Sequence, residues 1–284
     1  METNNMNKPS LGDINFINCL PLHYGLVQGG FGSPVNVHSG IPTELNALVI
    51  AGELDVSPVS SIIYARNSEK LLLLPNVSIS AQGGLQSIVL VSKYPINQLG
   101  QARIALTAKS ATSHGLLKII MSHAYQAAPD YFISSLSLVD GVLDDAQAVL
   151  FIGDDALHAY HHRVPGYHYY DLGAEWRAMT GLAMVYAVWV VNRQFANRHA
   201  ELVQLVYRQV IGGFAYGLAN LSAAARTLGD NVAFSTQQII NYINLLNYEF
   251  TPDHEQALLT YYKLAYDLGL IHHVPKIEFA KVIK

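Results

Sequence analysis

One cysteine, Cys19, is all this chain has, which excludes an internal disulfide and a cysteine-rich metal site. Charge is sparse as well. Asp, Glu, Lys and Arg make up 13% of the residues against 51% hydrophobic, and the formal net charge is −4. Lysines and arginines nowhere run together. A nucleic-acid-binding surface needs such a basic footprint, so nucleic acid is not an expected partner. A chain this apolar is not disordered. Long apolar runs are missing too: the most apolar stretch, Gly181 to Val191, reaches about half the ~20 residues of a membrane-spanning helix and reads as a buried strand. Met1 to Ser10 carry no apolar core of a secretory signal, so a cytoplasmic protein without a membrane partner is expected. The oligomeric state is not legible. What is present is a chain of 284 residues, enough for one large domain or two medium ones with a sizeable core.

Short apolar segments alternate with helical periodicity through the first two thirds. Strands are expected at 11–16, 35–38, 55–57, 71–74, 77–80 and 86–92, with helices from Asn18, over Pro42 to Ala51 and over Ser60 to Arg66. Tyr94-Pro-Ile-Asn breaks the pattern. Strands at 103–106, 131–133 and 148–152 follow, with helices at 115–125 and 138–143 and another opening at Gly153, before a long returning strand at 184–191. Beyond it only helical periodicity remains, over 193–220, 222–228, 235–246 and 252–268. This is an α/β pattern with mostly parallel sheets. The stretches 92–97 and 184–192 can serve as two crossings. They give a discontinuous first domain, 1–94 plus 190–284, with 95–189 inserted as a second domain. A cleft between them is the natural ligand site.

The run from Gly52 to Asn67 is an acidic turn, a short apolar strand, then Ser60 and Ser61 opening a helix. Hydroxyls and backbone N–H groups meeting at one point suit a small anion; either serine can equally cap the helix. Asn18 follows the first strand, where open α/β sheets bind ligands, or it caps a helix. Gly83 and Gly84 permit positive φ and close ligand approach before Ser87, or they make a tight turn. Ser110-Ala111-Thr112-Ser113 sits at a strand-to-helix junction and forms an anion nest or a capping segment, with Lys109 beside it. Asp154 caps its helix or orients a ligand hydroxyl. Its neighbour Asp155 points elsewhere, so the pair is no metal site. Thr180 stands just before the returning strand, placed to face the cleft from the second domain. Of the 12 histidines, the pairs at 161–162 and 272–273 are adjacent rather than i, i+4, so no metal site is expected. His114 is the one histidine placed to act as a base.

Several of these segments, taken in order, resemble the chorismate dehydratase family of the futalosine route to menaquinone. They are Asn15-Phe-Ile-Asn-Cys-Leu-Pro-Leu22, the Gly52–Asn67 run, Leu106-Thr107 with Ser110-Ala-Thr-Ser113, Ile152-Gly-Asp-Asp-Ala-Leu157, and Asp171-Leu-Gly with Trp176 and Thr180-Gly-Leu. The resemblance covers about residues 11–192; the helical tail matches only in general character. It implies a two-domain periplasmic-binding-protein type II-like fold with an interdomain cleft, no cofactor, and chorismate as substrate. The reaction implied is loss of water to give 3-[(1-carboxyvinyl)oxy]benzoate. On this reading Asn18 and Ser87 contact the reacting region, and Ser60, Ser61, Ala111 and Thr112 hold carboxylates. Gly84, Ser110, Asp154 and Thr180 complete the substrate site. A sister family, the 1,4-dihydroxy-6-naphthoate synthases, carries a Ser-Pro-Cys-Pro-Asn-Asp type motif where this chain has 15–22, which makes it the lesser choice. A non-catalytic anion-binding protein of the same fold is the rival from another class. The chain departs from the family at His114, where the family is apolar.

Overall fold

Pro42 fills the first turn of a helix and Gly52, at φ 80°, ends it: a proline fits where helix N–H groups lack partners, and a glycine takes the left-handed turn that closes the last carbonyls. The same punctuation organises the rest of the first unit in the computed structural model, which describes residues 8–107, 110–134, 143, 145–229 and 232–283. Its elements are β1 (Ser10–Ile14), a 3₁₀ turn (Ile17–Cys19), α1 (Leu20–Val27), β2 (Asn36–Gly40), α2 (Pro42–Ala51), β3 (Val56–Ser60), α3 (Ser61–Arg66) and β4 (Leu71–Ala81). The second unit holds β5 (Ile88–Ser92), β6 (Arg103–Thr107), α4 (Ala111–Tyr125), β7 (Asp130–Ser134), β8 (Ala148–Ile152), α5 (Gly153–His161), β9 (His168–Asp171) and α6 (Leu172–Thr180). The chain returns through β10 (Met184–Asn192) and continues as α7 (Arg193–Arg198), α8 (Ala200–Ala219), α9 (Leu221–Leu228), α10 (Thr236–Ile243) and α11 (Pro252–Asp267).

Two five-stranded sheets result, in the orders β2-β1-β3-β10-β4 and β7-β6-β8-β5-β9. Each is half parallel, not mostly parallel as the periodicity suggests. β1 pairs parallel with β2 and β3, while β10 runs antiparallel to β3 and β4. In the second sheet β6 pairs parallel with β7 and β8, and β5 runs antiparallel to β8 and β9. The strand that enters or leaves each unit is the one that reverses direction. β5 therefore lies in the second sheet and β10 in the first. We propose crossings between Ala81 and Ile88 and between Asp171 and Met184, in place of the expected boundaries after 94 and 189.

Other expectations shift by identifiable causes. The two strands read at 71–74 and 77–80 are one strand, β4, because Asn76 takes up a left-handed conformation at φ 62°, which asparagine tolerates. β9 carries the polar sequence His-Tyr-Tyr-Asp at a sheet edge and leaves no apolar signal. Asp171 caps α6 through Gly173 and Ala174 N–H. The long helix read at 193–220 breaks at His199 into α7 and α8. The helix read at 138–143 lies largely outside the described residues, as does Lys109.

Alternation builds two cores. Leu90, Leu106 and Leu150 face the main core shared with the first sheet, while Val89, Val91, Val149 and Phe151 face a smaller one on the other side of the second sheet. Among the described residues no helix is long and apolar enough to cross a membrane. α1 lies against α8 at backbone contact distance. A Cβ on Gly25 would stand 2.1 Å from Gly213 O, and one on Gly217 would stand 1.8 Å from Pro21 O. Across the same helix, His23 Nδ1 lies 2.6 Å from Oδ2 of buried Asp13 on β1. That bond raises the His23 pKa above its ordinary value, against a smaller opposing effect of burial.

Two outcomes follow from these contacts. Gly217→Ala gains about 1 kcal/mol of helix propensity, yet it must push two helix backbones apart, so a net loss of about 2 kcal/mol is expected in denaturant unfolding. The His23–Asp13 pair contributes stability that is complete below the ordinary histidine pKa and is lost as pH rises through the raised one. The melting temperature should therefore fall more between about pH 6 and about pH 8 in the native chain than in His23→Gln.

Candidate functional site

The carboxyl ends of β1, β3 and β8, the first turn of α4 and the middle of β10 converge on one cavity. Its wall includes Ile14, Phe16, Asn18, Ser60, Ser87, Ser110, Thr112, Gly153, Tyr186 and Ala187. Strand carboxyl ends are where the topology leaves a crevice, and α3, α4 and α5 begin beside it.

Each polar wall residue has its own setting. Asn18 sits in the 3₁₀ turn after β1, and its Oδ1 is buried without a hydrogen-bond partner among the described residues. A buried carbonyl-type oxygen in that state costs free energy unless a donor arrives. Ser60 ends β3, buried, and makes no cap bond with its side chain. Ser61, the next residue, is turned away from the cavity. Its Oγ donates to Val185 O at 2.9 Å and lies 3.4 Å from Thr112 Oγ1. Of the two serines left open by the sequence, Ser60 faces the cavity and Ser61 ties α3 to β10. Ser110 caps α4 by accepting from Ser113 N–H and stands 3.1 Å from Ser113 Oγ. Thr112 Oγ1 accepts from Ile62 N–H at 3.1 Å, so this cavity residue also bolts α4 onto α3.

Ser87 is held most tightly. Its carbonyl accepts from Gly153 N–H at 2.8 Å. Its Oγ accepts from the Tyr242 hydroxyl at 2.9 Å. The turn before it is pinned by Asp171, whose Oδ2 accepts from Leu85 N–H at 2.9 Å and Gln86 N–H at 2.6 Å. The other carboxylate oxygen accepts from Gly173 and Ala174 N–H. Burial nonetheless pushes the Asp171 pKa up, with those four N–H groups pulling it down.

Other expected residues stand back from the wall. The left-handed residue of the turn is Gln86, at φ 66°, and neither Gly83 nor Gly84 has positive φ. Gly84 matters by its missing side chain: a Cβ there would come within 3.3 Å of the Asp171 carboxylate. Ala111 is the first residue of α4, half-buried and off the wall. Asp154 lies in the first turn of α5, close enough for its charge to act on Tyr242. Thr180 closes its own turn, donating to Trp176 O and accepting from Leu182 N–H. His114 is drawn away from the cavity: its Nε2–H donates to Thr107 O at 2.6 Å, and burial lowers its pKa, so the ring is a neutral structural donor.

The wall is electrostatically unusual in what it carries. Among the described residues Cys19 and Tyr186 are its only titratable members. Burial pushes both up, Cys19 with help from the nearby Asp13 charge, so both stay protonated. The Tyr186 hydroxyl is buried and without a partner among the described residues. The described wall therefore offers neutral donors and acceptors, and neither Cys19 nor Tyr186 exchanges a proton near neutrality. Tyr186 and Tyr242 escape sequence reading because each sits in an apolar periodic segment. Asp171 escapes because it caps a helix that the periodicity does not show. Among the described residues no group of three or more His, Cys, Asp or Glu is placed to hold a metal ion.

A family model described as menaquinone biosynthesis matches residues 9–267. The chain is 35% identical over 203 residues to a chorismate dehydratase of Thermus thermophilus, covering 65% of this chain and 70% of that one. It is 31% identical over 180 residues to a chorismate dehydratase of Campylobacter jejuni, covering 62% of this chain and 64% of that one. In fold it is similar to the periplasmic aliphatic sulphonate binding protein of Escherichia coli, at TM-score 0.69 and 12% identity, covering 97% and 93% of the two chains. A periplasmic-binding-protein-like fold of two sheets with a cavity between them is the common ground.

Replacing the carboxylate that pins the Ser87 turn should be felt in folding. Asp171→Ala leaves four backbone N–H groups to find new partners, and a loss of about 1–3 kcal/mol is expected in denaturant unfolding.

Proposed function

The chain belongs to the menaquinone-biosynthesis family, and from that premise we propose that it is a chorismate dehydratase, an enzyme that eliminates water from chorismate to give 3-[(1-carboxyvinyl)oxy]benzoate. This is a carbon–oxygen hydro-lyase reaction on a small-molecule substrate. The observation that carries the reading is the chemistry of the wall: aligned hydroxyls, a carboxamide and helix N-termini surround a cavity whose titratable members, Cys19 and Tyr186, both stay protonated.

Such a site suits a substrate that brings its own driving force and its own base. Chorismate becomes aromatic when it loses water. The C–H bond at the ring carbon bearing the enolpyruvyl ether breaks, and its proton passes to a carboxylate of the substrate. The electron pair of that bond completes the ring, the neighbouring C–O bond breaks, and the leaving hydroxide takes the proton held on that substrate carboxyl and departs as water. The protein's share is to hold the two carboxylates, set the geometry and stabilise the oxygen on which charge builds.

The N-terminus of α4, with Ser110 and Thr112, and the Ser60 hydroxyl are assigned to the carboxylates. A helix N-terminus offers unpaired N–H groups and the positive end of the helix dipole. Asn18 and Ser87 are assigned to the reacting region, where the unpartnered Asn18 Oδ1 and the Ser87 hydroxyl meet the substrate. Ser61, Gly84, Ala111, Asp154 and Thr180 are then supports of the wall.

Incubation of the purified chain with chorismate tests the assignment. Loss of the diene absorbance with appearance of the benzoate product is expected. Binding without turnover would instead make this a non-catalytic anion-binding protein. Asn18→Ala and Ser87→Ala should each lower kcat about 100-fold or more, Asn18→Ala with little change in melting temperature and Ser87→Ala with a fall, because it leaves the buried Tyr242 hydroxyl without its partner. Full activity in both variants would sink the site assignment.

A further inference from the structure

The helical segment after β10 carries no cavity-wall hydroxyl, yet it reaches the site through tyrosines. Tyr248 donates to Asn18 O at 2.9 Å. Tyr261 donates to Thr112 O at 3.0 Å and Tyr262 to Ser61 O at 2.6 Å. These three phenols meet backbone carbonyls and fix segments. Tyr242 differs, because its partner is the side-chain oxygen of Ser87, at 2.9 Å.

A serine hydroxyl offers one donor and two acceptor lone pairs. The Tyr242 phenol fills an acceptor site of Ser87 Oγ. The Ser87 carbonyl is taken by Gly153 N–H and its turn is clamped by Asp171. What remains is the Ser87 hydroxyl hydrogen, and Ser87 lines the cavity. The Tyr242 ring is fixed independently of its hydroxyl. It is 2% exposed, belongs to the main apolar core, and borders a crevice together with Ile17, Leu157, Phe234 and Ile239, which come from both units and the helical segment.

We propose that Tyr242 is a positioning residue for the dehydration: its phenolic hydroxyl, donating to Ser87 Oγ, turns the Ser87 hydroxyl hydrogen into the cavity and keeps that serine a donor to the oxygen on which charge builds. The inference rests on the chorismate dehydratase reading. The chain phenol O–H to serine O–H to substrate oxygen is polarised in one direction, so each bond strengthens the next. Without the phenol, Ser87 is free to rotate and spend part of its time as an acceptor, which does nothing for a departing hydroxide.

The test uses the full chain and chorismate, with Tyr242→Phe, Ser87→Ala and the double variant. Tyr242→Phe keeps the packed ring and removes one oxygen. Its kcat should fall about tenfold, with KM and melting temperature close to the native values. In the Ser87→Ala background the same change should cost nothing further in kcat, because the group it orients is gone. Native kcat in Tyr242→Phe overturns the proposal. So does an equal fold-loss in both backgrounds, which is the mark of a merely structural role. Should Tyr242→Phe fail to fold, Tyr242→fluorotyrosine decides: an altered kcat at unchanged KM supports the proposal, and an unaltered kcat overturns it. Absence of chorismate turnover by the native chain overturns the dehydratase reading itself, a result distinct from any of these.

Discussion

The pairing of β10 with β3 is the contact on which the site depends. Its antiparallel register sets Ala187 opposite Ser60 and Val188 opposite Val59. Strand side chains alternate faces, so this one register decides what enters the cavity. Ser60 and Ala187 meet on the wall, while Ser61, one residue later, turns to bond Val185 O from behind. A slip of one residue would set a neighbour of Ala187 opposite Ser60 and carry Val185 O away from the Ser61 hydroxyl. The opposite edge of β10 holds β4, so the strand that brings the chain back from the second sheet also locks the first.

Around that frame the site is built from dipoles. Among the described residues no Lys, Arg, His, Asp or Glu lines the cavity, and the polar side chains that line it are hydroxyls, an amide and the Cys19 thiol. Fixed dipoles in a water-poor cavity stabilise developing charge without having to reorganise when it appears. Their worth lies in direction, and direction is supplied from outside the wall. Asp171 holds the Ser87 turn, Ile62 N–H holds Thr112, and Val185 O holds Ser61. Asp171 acts on backbone N–H groups and does not itself line the cavity.

What the sequence made legible follows from how local each signal is. α2 reads correctly to the residue because Pro42 and Gly52 mark its ends, and β8 because Ala148 to Ile152 is an unbroken apolar run. Asn18, Ser60, Ser110 and Thr112 stand out as polar residues after strands and Ser87 as one before a strand, and all five line one cavity. Long-range geometry was out of reach. The choice between Ser60 and Ser61 depends on a strand more than a hundred residues away. β9 is an edge strand without alternation, and α6 follows from Asp171 as its cap. The turn before Ser87 is made by Gln86 in the conformation expected of its glycines, because two bonds to Asp171 offset the strain.

Tyr242, Tyr248, Tyr261 and Tyr262 all lie beyond the last strand of either sheet, and this orders the making of the protein in time. At roughly 5–20 residues per second of synthesis, both sheets emerge and can pair while these phenols are still uncoded peptide. The nascent chain then holds a cavity whose serine, threonine and asparagine segments lack their outer ties. The ties come late, when the helical segment docks and its Val206, Phe214, Leu258 and Tyr261 complete the main core.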